Sequence, residues 1–352
     1  MRASLALCCL LQPALAQLTL DVRPSGAYTV TYGGGDITLA SAAAAYAVRY
    51  DGALHSTADG SLALDAPPAP TSGSDAMGAY TGFDLTFNSG VLGASFKLYA
   101  DLNALLFTQS FPKGLTGMAA AGDHSPANDL STAFPVFGPP EAQLNTSLAY
   151  LTWPECMSTG HVGRFRAAEA GNTGLQGNSG TPLTLFAEGG QAVVLSPVSG
   201  MMTAQVVFAG AVGTALGAGH NGMVTEVPAG WTQETLLVAG DSVNATVMAF
   251  GDQLLARSGK PRTAPDADLV ISTLGYWTDN GACASTPRSV SPPPPFCPSR
   301  APLTLLCTHT HDPDYYYLSE PGKDMQDTVM DVLSYWQGLG LPVRHLMYDS
   351  WW

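Results

Sequence analysis

Two short stretches combine a carboxylate with aromatic rings. The first is Tyr276-Trp277-Thr278-Asp279-Asn280, after the apolar run Leu269 to Leu274. The second is Tyr348-Asp349-Ser350-Trp351-Trp352, after "LPVRHLM" (341–347). An acid beside an indole is suited to sugar recognition. The ring face covers the C–H face of a pyranose, while the carboxylate accepts hydrogen bonds from vicinal hydroxyls. The plainer reading makes the Trp a core residue and the Asp a helix N-cap. Two strand ends of one kind, a helix apart, favour the functional reading, because barrel active sites collect residues from several strand ends. The expected substrate-binding set is therefore Tyr276, Trp277, Asp279, Asp349 and Trp351.

The elements that must position these residues follow from the pattern. Leu269–Leu274 is a nearly continuous apolar, β-branched run and reads as a strand buried on both faces. In "PGKDMQDTVMDVLSYWQGLG" (321–340), Met325, Val329, Val332, Leu333 and Trp336 share one stripe of an amphipathic helix. Asp324 is placed to cap it, and Gly338 and Gly340 to end it. With the strand at 341–349, residues 269–349 spell one βαβ unit.

Upstream, from Gln17 to about Val247, short alternating runs such as "AYTVTY" (27–32) and "FDLTFN" (83–88) are punctuated by Gly, Asn, Asp and Pro. More than 220 residues of this texture predict a large two-sheet sandwich. "ATVMAFGDQLLARSGKPR" (245–262) has helical spacing and a Gly259/Pro261 stop. The expected fold is mainly β, with a large N-terminal sandwich and then the first βαβ unit of an incomplete (β/α)8 barrel. The expected boundaries are a signal peptide at 1–16, the sandwich at 17–246, a linker helix at 247–268 and the barrel start at 269–352.

"MRASLALCCLLQPALAQ" has a basic Arg2, a short apolar core and an Ala-Leu-Ala cleavage site, the form of a secretory signal. No stretch reaches the ~18 apolar residues of a membrane span. The expected location is secreted, extracellular or in the cell wall. Two sequons fit export, Asn145-Thr146-Ser147 and Asn244-Ala245-Thr246. Cys156, Cys283, Cys297 and Cys307 remain after the signal and permit three pairings. Pairing Cys283 with Cys297 or Cys307 closes a local loop and is favoured. The formal net charge of −14 gives no affinity for phosphate backbones, so no nucleic-acid partner is expected.

Between the βαβ strand and helix, 283–314 holds Pro292–Pro295 and no periodicity. Such a segment favours extended polyproline II. It reads as an insertion, either a Pro-rich loop or translated non-coding sequence such as a retained intron. A transcript junction joining Ala282 to Tyr315 separates these readings. Cys307, His309, His311, Asp312 and Asp314 have metal-ligand types, but within this insert a solvated loop is the simpler account, and no metal site is assigned. His345, within the second strand, reads as a packed, hydrogen-bonded histidine. No nucleophile elbow, P-loop or dinucleotide fingerprint is present, and no cofactor is expected.

"LGYWTDNGA", "YYY", the amphipathic helix and "GLPVRHLMYDSWW" together resemble the barrel start of glycoside hydrolases of the α-galactosidase and raffinose-synthase type. More closely, they are similar to a divergent secreted eukaryotic group of that architecture. The specific likeness covers about 50 C-terminal residues. That family's second barrel strand ends in Asp-Asp-Gly-Trp; here Tyr348 and Ser350 stand where the first Asp and the Gly would be. The resemblance implies a β-sandwich before a (β/α)8 barrel, carbohydrate as partner, Asp349 as a substrate-binding acid, and Trp277 with Asp279 as the first-strand aromatic–acid element. It also implies a nucleophile and an acid/base on later strands, ~5 Å apart in a retaining enzyme. From Leu269 onward 84 residues remain, against ~250 for a closed barrel. The expectation is a hydrolase-like protein whose full-length form cleaves α-glycosides, galactosides first. This chain lacks the catalytic pair and is inactive or only weakly sugar-binding. The competing expectation is a non-enzymatic extracellular carbohydrate-binding or cell-wall glycoprotein.

Overall fold

The computed structural model describes residues 16–119, 129–138, 148–153, 160–166, 182–208, 215–264, 266–277 and 322–347. The chain divides into two units, Met1–Pro261 and Arg262–Trp352.

The first unit is built on a nine-stranded sheet. Its spatial order is His161–Arg164, Ala149–Thr152, Leu183–Phe186, Ala192–Pro197, Trp231–Gly240, Ala104–Phe111, Leu92–Tyr99, Gly78–Phe87, Ala69–Asp75. Every neighbouring pair is antiparallel. Facing it are shorter sheets. One is Thr19–Val22, Tyr28–Tyr32 and Ile37–Ala40; another is Val136–Phe137, Leu216–His220 and Ala204–Phe208; a third is Thr132–Ala133, Ala47–Tyr50 and Ala53–Ser56. Bridges at Ser41–Phe137 and Leu130–Asn221 stitch these pieces together.

Alternation explains the layering. In Tyr28–Tyr32 the two Tyr and Val30 are buried while Thr29 and Thr31 are half-buried. Side chains of the large sheet (Phe96, Leu105, Phe107, Leu237), of the facing strands (Tyr28, Val30, Phe137) and of residues flanking them (Tyr46, Phe134) form one core cluster. Tyr28 lies at its centre, with ring centroids of Phe96 at 5.1 Å, Phe137 at 5.8 Å and Phe134 at 5.9 Å. Its phenol both donates to the Val136 carbonyl (3.0 Å) and accepts from the Val136 amide (2.7 Å). The polar tip is satisfied inside an apolar core, and burial holds the hydroxyl protonated by raising its pKa far above the usual value.

Strands at the middle of the large sheet are apolar on both faces because a helix covers the outer one. Helix α1 (Val243–Ser258) inserts Phe250 among Tyr99, Leu106, Val194, Leu236 and Val238. Ser242 caps its start, accepting from the Ala245 amide at 3.2 Å, and Gly259 ends it at φ 63°. Arg257 pairs with Glu234 on the strand beneath. The helix expected at 247–268 as a linker is thus a packed element of the sandwich, ending at Ser258. Among the described residues no helix is long and apolar enough to cross a membrane.

The second unit holds helix α2 (Leu269–Ser272), strand Leu274–Trp277, helix α3 (Met325–Gly338) and strand Val343–Met347. The predicted strand at 269–274 is a helical turn followed by a strand. Local hydrogen bonds decide this. The Asp268 carboxylate accepts from the Val270 amide at 2.7 Å, and the Ser272 and Thr273 hydroxyls return to the carbonyls of Asp268 and Leu269. Such side-chain bonds offer the backbone an alternative to the sheet ladder.

Helix α3 follows the predicted stripe. Val329 is buried, and Val332, Leu333 and Trp336 are half-buried. Asp324 caps it, accepting from the Asp327 amide at 2.8 Å. At its end Leu341 N donates to Trp336 O and Gly340 N to Gln337 O, with Gly340 at φ 73°, which is a Schellman closure.

Candidate functional site

The two strands of the second unit pair in parallel, with Leu274 opposite Val343 and Trp277 opposite Met347. A parallel pair sends both chains out at the same edge. Asp279 and Asp349 each stand two positions past the Trp277–Met347 pair. Trp277 and Met347 therefore end the two strands at the same end of the pair.

Of the predicted binding residues, Tyr276 and Trp277 end the first strand. The half-buried Tyr276 ring meets Trp336 of α3 edge-on, with centroids 4.5 Å apart at 87°. That contact ties strand to helix. Asp279, Asp349 and Trp351 lie outside the described residues, as do Asn145, Cys156, Cys283, Cys297, Cys307 and the segment 283–314. Asn244 is exposed in the first turn of α1. Among the described residues no group of three or more His, Cys, Asp or Glu side chains is arranged to hold a metal.

The edge is braced by residues just behind it. The half-buried His345 donates from Nδ1 to the Thr273 hydroxyl oxygen, 3.1 Å away, whose own proton goes to the Leu269 carbonyl. Its ring covers the backbone of Gly275, where a Cβ would fall 1.9 Å from Nε2. Glycine is required there by the neighbour's volume, not by φ. Sequence reasoning read His345 as a packed, hydrogen-bonded residue but missed Gly275. The signal was a lone glycine inside an apolar strand, which marks close approach.

A second polar constellation sits inside the sandwich, where sequence reasoning placed nothing. His220 is almost wholly buried. Its Nε2 accepts from Trp231 Nε1–H at 2.9 Å, and its Nδ1 lies 2.9 Å from Thr132 Oγ1. Indole nitrogen only donates, so the neutral imidazole carries its proton on Nδ1 and donates it to Thr132. Burial pushes the histidine down to about 4. Both nitrogens are occupied, so the ring is a structural tie rather than a proton shuttle.

No family model matches the chain, and no curated protein matches it. Among solved structures, the alpha-N-acetylgalactosaminidase NagBb from Bifidobacterium bifidum in complex with GalNAc is 11% identical, covering 72% of this chain and 40% of that one, at a TM-score of 0.41. A glycoside hydrolase family 97 enzyme from Pseudoalteromonas sp. strain K8 in complex with acarbose is 12% identical over 64% of this chain and 34% of its own, at 0.40. The alpha-galactosidase from Lactobacillus brevis is 11% identical over 60% and 31%, at 0.32. These neighbours are glycoside hydrolases, and the chain spans two fifths of their length or less. At TM-scores below 0.5 the likeness does not extend to substrate or chemistry.

Proposed function

We propose that this is an exported, glycoside hydrolase-like protein whose sugar site gathers at the edge of the parallel strand pair. Tyr276, Trp277 and Asp279 come from one strand end, Asp349 and Trp351 from the other. The observation that carries the proposal is the parallel register, with Trp277 opposite Met347 and an acid two positions beyond each. The acids accept hydrogen bonds from sugar hydroxyls and the indoles cover the apolar sugar face. In the full-length form the reaction is hydrolysis of α-glycosides, galactosides first, by a carboxylate pair on further strands. The 352 residues by themselves bind sugar without turning it over.

Titration calorimetry of the chain with galactose and α-galactosides tests the site. Asp349→Ala and Trp351→Ala are each expected to weaken binding by about tenfold, the value of one charge-assisted bond or stacked ring. Failure of every glycan on an array to bind overturns the site. Hydrolysis of an aryl α-galactoside by the chain, lost in Asp349→Ala, overturns the non-catalytic assignment. The Pro292–Pro295 run and the sequons favour a second reading, a non-enzymatic wall glycoprotein. It predicts binding without turnover in every longer form.

A further inference from the structure

The sequon Asn244-Ala245-Thr246 lies across the first turn of α1, and its two essential side chains face opposite ways. Asn244 is exposed. Thr246 is fully buried. Its Oγ1 donates to the Ser242 carbonyl at 2.6 Å, and its backbone amide donates to the same oxygen at 2.9 Å. It also packs against the bare backbone of Gly240, where a Cβ would lie 2.6 Å from Thr246 Oγ1. On an α-helix, residues i and i+2 are about 200° apart and do not share a face. An enzyme that reads the acceptor amide together with the hydroxyl two residues on cannot engage both in this conformation.

We propose that Asn244 is an N-glycan acceptor that is open only before α1 docks on the sheet, so that the folded sandwich conceals its own modification signal. The proposal rests on the export reading above. In the step itself, Asn244 Nδ2 attacks C1 of an oligosaccharide carried on a lipid pyrophosphate. The N–C1 bond forms, the C1–O bond to pyrophosphate breaks, the lipid pyrophosphate leaves and the amide gives up one proton. The finished glycan projects from the exposed face of the helix start, where it leaves the packing of Thr246 and Phe250 untouched.

The test compares two full-length chains produced without glycan and offered to solubilised oligosaccharyltransferase with its lipid-linked donor. One is the native chain; the other carries Phe250→Asp, which puts a charge into the helix's buried anchor. Whether that variant releases the helix or unfolds the chain, Thr246 becomes accessible. Peptide mass mapping is expected to show at least tenfold more glycan at Asn244 in the variant, and none when Asn244→Gln is added. Chain secreted by a eukaryotic host is expected to carry the glycan at Asn244. Equal modification of the native chain and the variant overturns the proposal, as does a secreted chain bare at Asn244. A chain retained in the cytosol while the in-vitro contrast holds defeats the export reading and leaves the concealed sequon standing.

Discussion

His220 shows how one side chain ties the sandwich to pH. Its folded-state value lies near 4 against an ordinary 6.5, because burial disfavours the charged ring. The folded state therefore prefers the neutral form. The contribution is complete above pH 6.5 and is lost as the pH falls from 6.5 towards 4, by roughly 3 kcal/mol. Urea titrations between pH 7.5 and 4 are expected to show this loss, and His220→Gln should flatten it. An unchanged slope in that variant would assign the acid sensitivity to other groups. Gly275 is the second residue whose neighbour decides its identity. Gly275→Ala drives a methyl into His345 and should weaken the strand pair by about 1–3 kcal/mol. Adding His345→Ala should recover most of that. Hydrogen exchange of the amides in Leu274–Trp277 and Val343–Met347 reads both effects, and an unrelieved double variant would point to strain of another origin.

At the scale of elements, α1 and α2 show what local pattern can and cannot reveal. The α1 spacing and its Gly stop were legible because each is a signal within one helical turn, whereas its Ser242 cap emerged only with the structure. That the helix lies flat on the sheet was not legible, since Phe250 meets residues more than 100 positions away in sequence, such as Tyr99 and Leu106. Phe250→Ala is expected to lower stability by about 3 kcal/mol, as loss of a buried aromatic ring does. Calorimetry checks this, and a loss below 1 kcal/mol would mean that the sheet face repacks without it. In α2, the apolar run Leu269–Leu274 pointed to a strand. The hydroxyls and carboxylate of Asp268, Ser272 and Thr273 turn most of it into a helical turn instead. Hydrophobicity alone does not separate a buried strand from a short helix.

The whole molecule comprises two units of unlike character. The first has a continuous core spanning both layers. The second leaves Leu269, Val270, Ile271, Leu274, Met330, Tyr335 and Leu339 more than half exposed. Limited proteolysis is expected to leave a resistant fragment ending near Pro261 and to degrade the remainder. Residues 1–261 expressed alone should be monomeric and more soluble than the 352-residue chain. Equal protease resistance of the two units would contradict this difference in packing.

The sequence by itself determined most element types, the cap of α3, the stops of α1 and α3, the sandwich-then-βαβ order and the two acid–aromatic stretches. Each of those is encoded in residues a few positions apart, where periodicity and backbone chemistry act directly. Tertiary structure decided the rest. It set the nine-strand order, laid α1 over the outer sheet face, used Tyr276 to hold Trp336, and buried His220 between Trp231 and Thr132. It also paired Leu274–Trp277 with Val343–Met347 in parallel across some 70 residues, so that both strands end on the same side of the pair. Pairings of that range depend on which faces can be buried together, and no local pattern carries that information.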